Sequence, residues 1–88
     1  MAKIIYWTGK EQMLEDKVFS LKELQTIVHG YIQIMPCGNG DMMVMNEEGK
    51  LMNLSPNKKA TDIMRENFDG FDDTIVGDVL VCDSKYIE

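Results

Sequence analysis

One histidine and two cysteines, His29, Cys37 and Cys82, are the side chains of this sequence best suited to act as a neutral base or a soft nucleophile. Such chemistry needs the nucleophile hydrogen-bonded to its base, and nothing in the spacing brings either thiol to the imidazole. His29 falls at the expected C-terminus of a helix, where a positive charge favours the dipole. The cysteines lack a C-x-x-C spacing and read as two unpaired small hydrophobes in a reducing compartment. The carboxylate pairs Glu47-Glu48 and Asp72-Asp73 are adjacent on turns and diverge, and acid-base work would also require burial or coupling. Asn67 to Asp73 concentrates oxygen atoms around a glycine, but without calcium-loop spacing or a closing glutamate. Gly9-Lys10 is followed by Glu11 rather than Ser or Thr, and Gly38-Asn39-Gly40 lacks the third glycine and the helix of a phosphate loop. The expectation is a chain that is not an enzyme, with no cofactor and no metal site.

A second group suits binding rather than catalysis. Gln25, Tyr31, Asn46, Glu47 and Asn57 are polar groups beside expected helix and strand ends, and Gly30 among them permits close approach. These six are the expected ligand-binding residues. For each of them capping or turn chemistry is the competing role.

Eighty-eight residues make a single domain, and 44% hydrophobic with 27% charged residues is the balance of a chain that folds. Nine basic against fifteen acidic residues leave a charge of -6 with the lysines scattered, the opposite of what a phosphate backbone requires, so no direct nucleic-acid partner is expected. No run approaches the roughly 18 apolar residues of a membrane span, and the opening residues are too short for a signal-peptide core. A cytoplasmic protein without a membrane partner is expected.

The elements that must position these residues follow from local signals. Lys3 to Thr8 is β-branched and aromatic and predicts a strand, and the polar Gly9 to Asp16 predicts a loop. Ser20-Leu21-Lys22-Glu23 has the form of a capping box, so a helix is predicted over 21–29, with Leu21, Leu24, Ile27 and Val28 as its apolar stripe and Gly30 as its left-handed terminator. Tyr31 to Met35, Met42 to Met45 and Lys50 to Leu54 predict a three-strand meander through turns at 36–41 and 46–49. Alternation places Met43 and Met45 on one face, and Met42 and Val44 on the other. Ser55 as N-cap and Pro56 at the first helical position predict a second helix to about Asn67, and Thr74 to Cys82 predicts a last strand interrupted at Gly77. The fold class is therefore α+β, one mixed or antiparallel sheet of about five strands with two short helices.

The run Leu24-Gln25-x-x-Val28-x-Gly30-Tyr31-Ile32, with Asn46-Glu47-Glu48-Gly49-Lys50, Asn57-x-x-Ala60 and Ile75-Val76-Gly77-Asp78, resembles a family of small domains of unknown function found in bacteria, their phages and mobile elements. His29 departs from the pattern, where a small residue is expected. The resemblance implies a phage or mobile-element setting, hence a host cytoplasm, in which small non-enzymatic proteins inhibit or sequester parts of host defence.

Together these readings predict a binding protein, an anti-defence protein that captures a nucleotide-like ligand at a homo-oligomer interface. The alternative is an acidic inhibitor or DNA mimic docking on a host protein through Glu11, Glu15, Asp16, Asp69, Asp72 and Asp73. The oligomer is expected because two short helices would cover about one face of the sheet and leave the other open.

Overall fold

A computed structural model describes all residues, Met1 to Glu88. The chain forms β1 (Ala2–Ile5), β2 (Glu11–Leu14), α1 (Leu21–Val28), β3 (Ile32–Gly38), β4 (Asp41–Asn46), α2 (Lys58–Asn67) and β5 (Val79–Asp83), closed by a 3-10 turn at Ser84–Tyr86. The strands make one open sheet in the order β2-β1-β5-β4-β3, and every neighbouring pair is antiparallel. The α+β class and the strand number agree with the sequence. Two strands are not the expected ones.

The polar segment after Gly9 is strand β2 rather than a loop. Gly9 closes a hairpin in which the Tyr6 N–H donates to the Lys10 carbonyl at 2.9 Å, and Lys3 reaches diagonally to Glu11 at 2.9 Å. Polar residues suit this place because β2 is an edge with one side in water. Conversely, Lys50 to Leu54 is not a strand. Its backbone bonds are local: Met52 N–H to Glu48 carbonyl at 3.0 Å, Asn53 to Lys50 at 3.1 Å and Leu54 to Gly49 at 2.9 Å. A chain folded on itself every three to five residues has no donors left for a ladder.

Helix α1 begins with the predicted capping box: the Glu23 N–H donates to Ser20 Oγ at 3.2 Å, and the Ser20 N–H to the Glu23 carboxylate at 3.1 Å. Its buried residues are Leu24 and Val28, while Leu21 is exposed. The left-handed terminator is His29, with φ 65°, not Gly30. Histidine tolerates that conformation better than most side chains. Gly30 is required for another reason, since a Cβ there would lie 2.8 Å from Asn46 Nδ2. Helix α2 is capped by Asn57 rather than by Ser55 and Pro56: Asn57 Oδ1 accepts from the Ala60 N–H at 3.1 Å, whereas Pro56 bridges to Val76. The last strand begins only at Val79, because Gly77 at φ 77° turns the chain and donates to the Ser55 carbonyl at 2.8 Å.

The two helices lie on opposite faces. Ile5, Met43, Met45, Val79 and Val81 pack with Ala60 and Met64 of α2, while Ala2, Ile4, Val44, Leu80 and Cys82 pack with Leu24 and Val28 of α1. The predicted methionine alternation is therefore present. The expected bare second face is not, and with it falls the argument that an open face must be buried against another copy.

Three surface carboxylates carry part of the stability. Glu11 is held below its ordinary value of 4.5 by hydrogen bonds to Lys3 and then Lys59, Glu23 by Lys17 and then the Ser20 amide, and Asp73 by Lys50 and then the Thr74 amide. Each binds fewer protons folded than unfolded, so its stabilisation is complete above the ordinary carboxylate range and is lost as pH falls through the depressed folded values. The thermal midpoint is expected to fall on acidification below about 4.5, more steeply at low salt, and Glu11→Gln is expected to flatten that slope. Thermal scans against pH check this.

Candidate functional site

Helix α1 packs chiefly against β3, β4 and β5, and beyond it on the same sheet face Leu14 of β2 is only half-buried beside Ile4 of β1, which is 9% exposed. The segment between β2 and α1 folds down beside them and is pinned at Phe19, whose N–H donates to the Tyr86 carbonyl at 2.7 Å and whose carbonyl accepts from Glu88 at 3.2 Å. Sheet, segment and helix together enclose a cleft of about 590 Å³. Ile4, Leu14, Phe19 and Ile27 supply its apolar surface, and Glu15, Lys17, Ser20, Lys22, Glu23 and Thr26 are its polar lining.

Most of that polar lining is already committed. Both Glu23 oxygens are used, by the Ser20 amide and by Lys17, and the Lys17 ammonium also stands 5.5 Å from the Phe19 ring centre. The Thr26 hydroxyl donates to the Lys22 carbonyl at 2.9 Å. Glu15 and Lys22 take part in none of the chain's seven ion pairs. The cleft thus offers an apolar floor with one cation and one anion free at its rim. Its volume lies within the roughly 300–1,000 Å³ of small-molecule sites.

None of the six sequence-predicted residues lines this cleft. Five of them meet at the corner where α1 passes into β3. The Gln25 carbonyl accepts from both His29 and Gly30 and closes the helix. Gly30 packs on Asn46, whose Nδ2 donates to the Val28 carbonyl at 3.0 Å and whose Oδ1 accepts from the Glu48 N–H at 2.8 Å. The Tyr31 carbonyl accepts from Glu47 at 2.8 Å, and both side chains are exposed. Asn57 stands apart. It is 1% exposed, and its Nδ2 donates to the carbonyls of Ile5 at 2.9 Å and Gly77 at 2.8 Å. A smaller cavity of about 160 Å³ lies beside the β4 end, and only Asn46 and Glu47 of the six reach it. Asn46 and Asn57 spend their amides on the fold itself.

The chemistry-bearing side chains are likewise bound into structure. His29 is exposed and its Nε2 lies 3.2 Å from Asp78 Oδ2, while Asp78 Oδ1 accepts from the Trp7 N–H at 3.0 Å. Asp78, which the sequence places in the Ile75-Val76-Gly77-Asp78 run without a role at a site, thereby ties the α1 end to the β1-β2 turn. Cys37 and Cys82 are free, buried and in the cores of opposite faces. Burial, and then the Asp41 charge, pushes the Cys37 thiol up to about 11 and raises Cys82 as well. Neither is a ready nucleophile. No group of three or more His, Cys, Asp or Glu side chains converges as metal ligands would.

Comparison with known families gives one match, a domain of unknown function designated DUF3846, over residues 2–87. The chain belongs to this family. No curated protein and no solved structure matches. Because the DUF3846 match spans the whole sheet and both helices, every part of the cleft lies within the family's domain. No helix of this DUF3846 member is long and apolar enough to cross a membrane.

Three acidic groups of the expected mimicry surface are paired with cations: Glu11 with Lys3 and Lys59, Asp16 with the N-terminal ammonium at 3.2 Å, and Asp73 with Lys50. Such pairing offsets the field that docking on a basic enzyme would need. The cleft residues are not legible in the sequence, because Ile27 reads as part of a core stripe and Leu14 as part of a polar loop. The only local hint was that Ile27 widened that stripe beyond what one narrow core contact requires.

Proposed function

We propose that this chain is a non-enzymatic binding module that takes a small ligand with an apolar body into the cleft between α1 and the β1-β2 hairpin. The observation that carries the reading is the composition of the cleft, an apolar floor of ligand size whose lining presents no activated nucleophile or base. The nucleotide-like ligand expected from the sequence belongs to this class. Its base would rest on Leu14 and Ile27 beside Ile4, and its phosphates would meet Lys22, the free cation at the rim. In the phage or mobile-element setting implied by the sequence resemblance, such capture would deplete a small signal of host defence.

The test is native mass spectrometry of protein purified without denaturation, together with titration of the dye 1-anilinonaphthalene-8-sulfonate. A retained small molecule and saturable dye binding are expected for the native chain. Ile27→Glu places a carboxylate in the apolar lining and is expected to weaken dye binding about tenfold or more, with far-UV circular dichroism confirming that the variant folds. Equal binding by a folded Ile27→Glu variant sinks the proposal, as does a chain that retains nothing and leaves the dye dark.

A further inference from the structure

We propose that two copies of this chain pair edge to edge through β3, in antiparallel register about Gln33, to give one continuous ten-stranded sheet. The inference starts from the hydrogen-bond phase of that strand. Tyr31 accepts from Glu47, and the β3-β4 register sets Gln33 opposite Met45 and Met35 opposite Met43. In an antiparallel ladder these alternate residues turn their N–H and C=O groups to β4, so Ile32, Ile34 and Pro36 turn theirs outward. Since β3 is the sheet's edge, those outward groups have no strand to pair with. Pro36 stands in this outward set, where its missing N–H costs no ladder bond.

Pairing about Gln33 places Ile32 of one copy opposite Ile34 of the other, each such pair exchanging both N–H···O=C bonds, and it leaves Pro36 outside the hydrogen-bonded centre. The side chains agree with this register. Ile32 and Ile34 lie on the α1 face, where Ile34 is 38% exposed, and Tyr31, 65% exposed, comes opposite Met35 of the second copy on the other face.

Charge argues that the occupant is a second copy. The chain carries -6, so self-association elsewhere sets like charges against each other. Leu24 to Gly40, seventeen residues, is the longest run without Asp, Glu, Lys or Arg, and it contains all of β3. The opposite edge, β2, is four residues long and carries Glu11 with its lysine partners. A long uncharged edge is a template for strand addition unless it is blocked, and here Pro36 and the bulge between Pro36 and Gly38 interrupt it only at its C-terminal end.

Sedimentation equilibrium and amide hydrogen exchange test the proposal independently of the cleft. The native chain is expected to rise from 10.1 kDa toward twice that mass with concentration, and the Ile32 and Ile34 amides to become protected as it does. Ile34→Pro removes an outward donor without touching a bond to β4, and Ile34→Lys sets charge at the seam. Both are expected to stay at the mass of one chain, while Leu21→Lys on exposed α1 surface behaves as the native protein. If Ile34→Pro fails to fold, Ile34→Lys and the exchange data decide. A native chain that remains single at all concentrations overturns the proposal. So does a dimer insensitive to Ile34→Lys, a dimer in which the Ile32 and Ile34 amides exchange freely, or an edge that pairs only with another protein's strand.

Discussion

Asn57→Ala is expected to destabilise the chain by about 4 kcal/mol, a large share of the roughly 5–15 kcal/mol that holds a domain folded. The side chain does three things from one buried position: Oδ1 caps α2 at the Ala60 N–H, and Nδ2 donates to Ile5 and to Gly77. Loss of a cap costs about 1 kcal/mol, and each buried carbonyl left without a donor costs about 1–3 kcal/mol. The position joins α2, the end of β1 and the turn before β5, so all three loosen together. Asn57→Asp separates the contributions. Aspartate keeps the cap but offers no donor and sets a carboxylate against two carbonyl oxygens, so it is expected to be at least as destabilising as alanine, although the two residues cap exposed helices equally well. Urea unfolding of the three proteins measures this. A loss below about 1 kcal/mol for Asn57→Ala would show that the carbonyls find other donors, and it would reopen Asn57 as a residue spent on something other than the fold.

Leu80→Ala is expected to cost about 2–5 kcal/mol. Leu80 is the second residue of β5, the central strand of the sheet, opposite Ile4 on one side and Val44 on the other, and it packs under Leu24 and Val28 of α1 with no exposure. The backbone of a middle strand is held by ladders on both sides and cannot shift to fill the space, so most of the cavity term persists. Leu51→Ala removes the same atoms from a turn where the side chain is 83% exposed, and it is expected to change stability by no more than about 0.5 kcal/mol. Denaturant midpoints at constant slope compare the pair. Similar costs at both sites would contradict the placement of Leu80 at the meeting point of sheet and helix.

What sequence alone determined is local or periodic. The capping box at Ser20 and Glu23 was legible because both of its hydrogen bonds join groups three residues apart, and the opposite facing of Met43 and Val44 was legible because a strand alternates every residue. The α+β class followed from the count of such elements. Pairing was not legible. Glu11 to Leu14 is a strand because β1 lies beside it, Lys50 to Leu54 is not one because no neighbour is offered, and neither outcome is written in propensities that depend so strongly on context. The fates of Asn46 and Asn57 were hidden for the same reason, since their donors meet carbonyls 18, 20 and 52 positions away. The cleft is the most tertiary feature of all. Its walls include Ile4, Leu14 and Ile27, residues of three different elements, and it exists because the connection from β2 to β3 carries α1 across the sheet toward the far strands and covers the β1-β2 corner only in part.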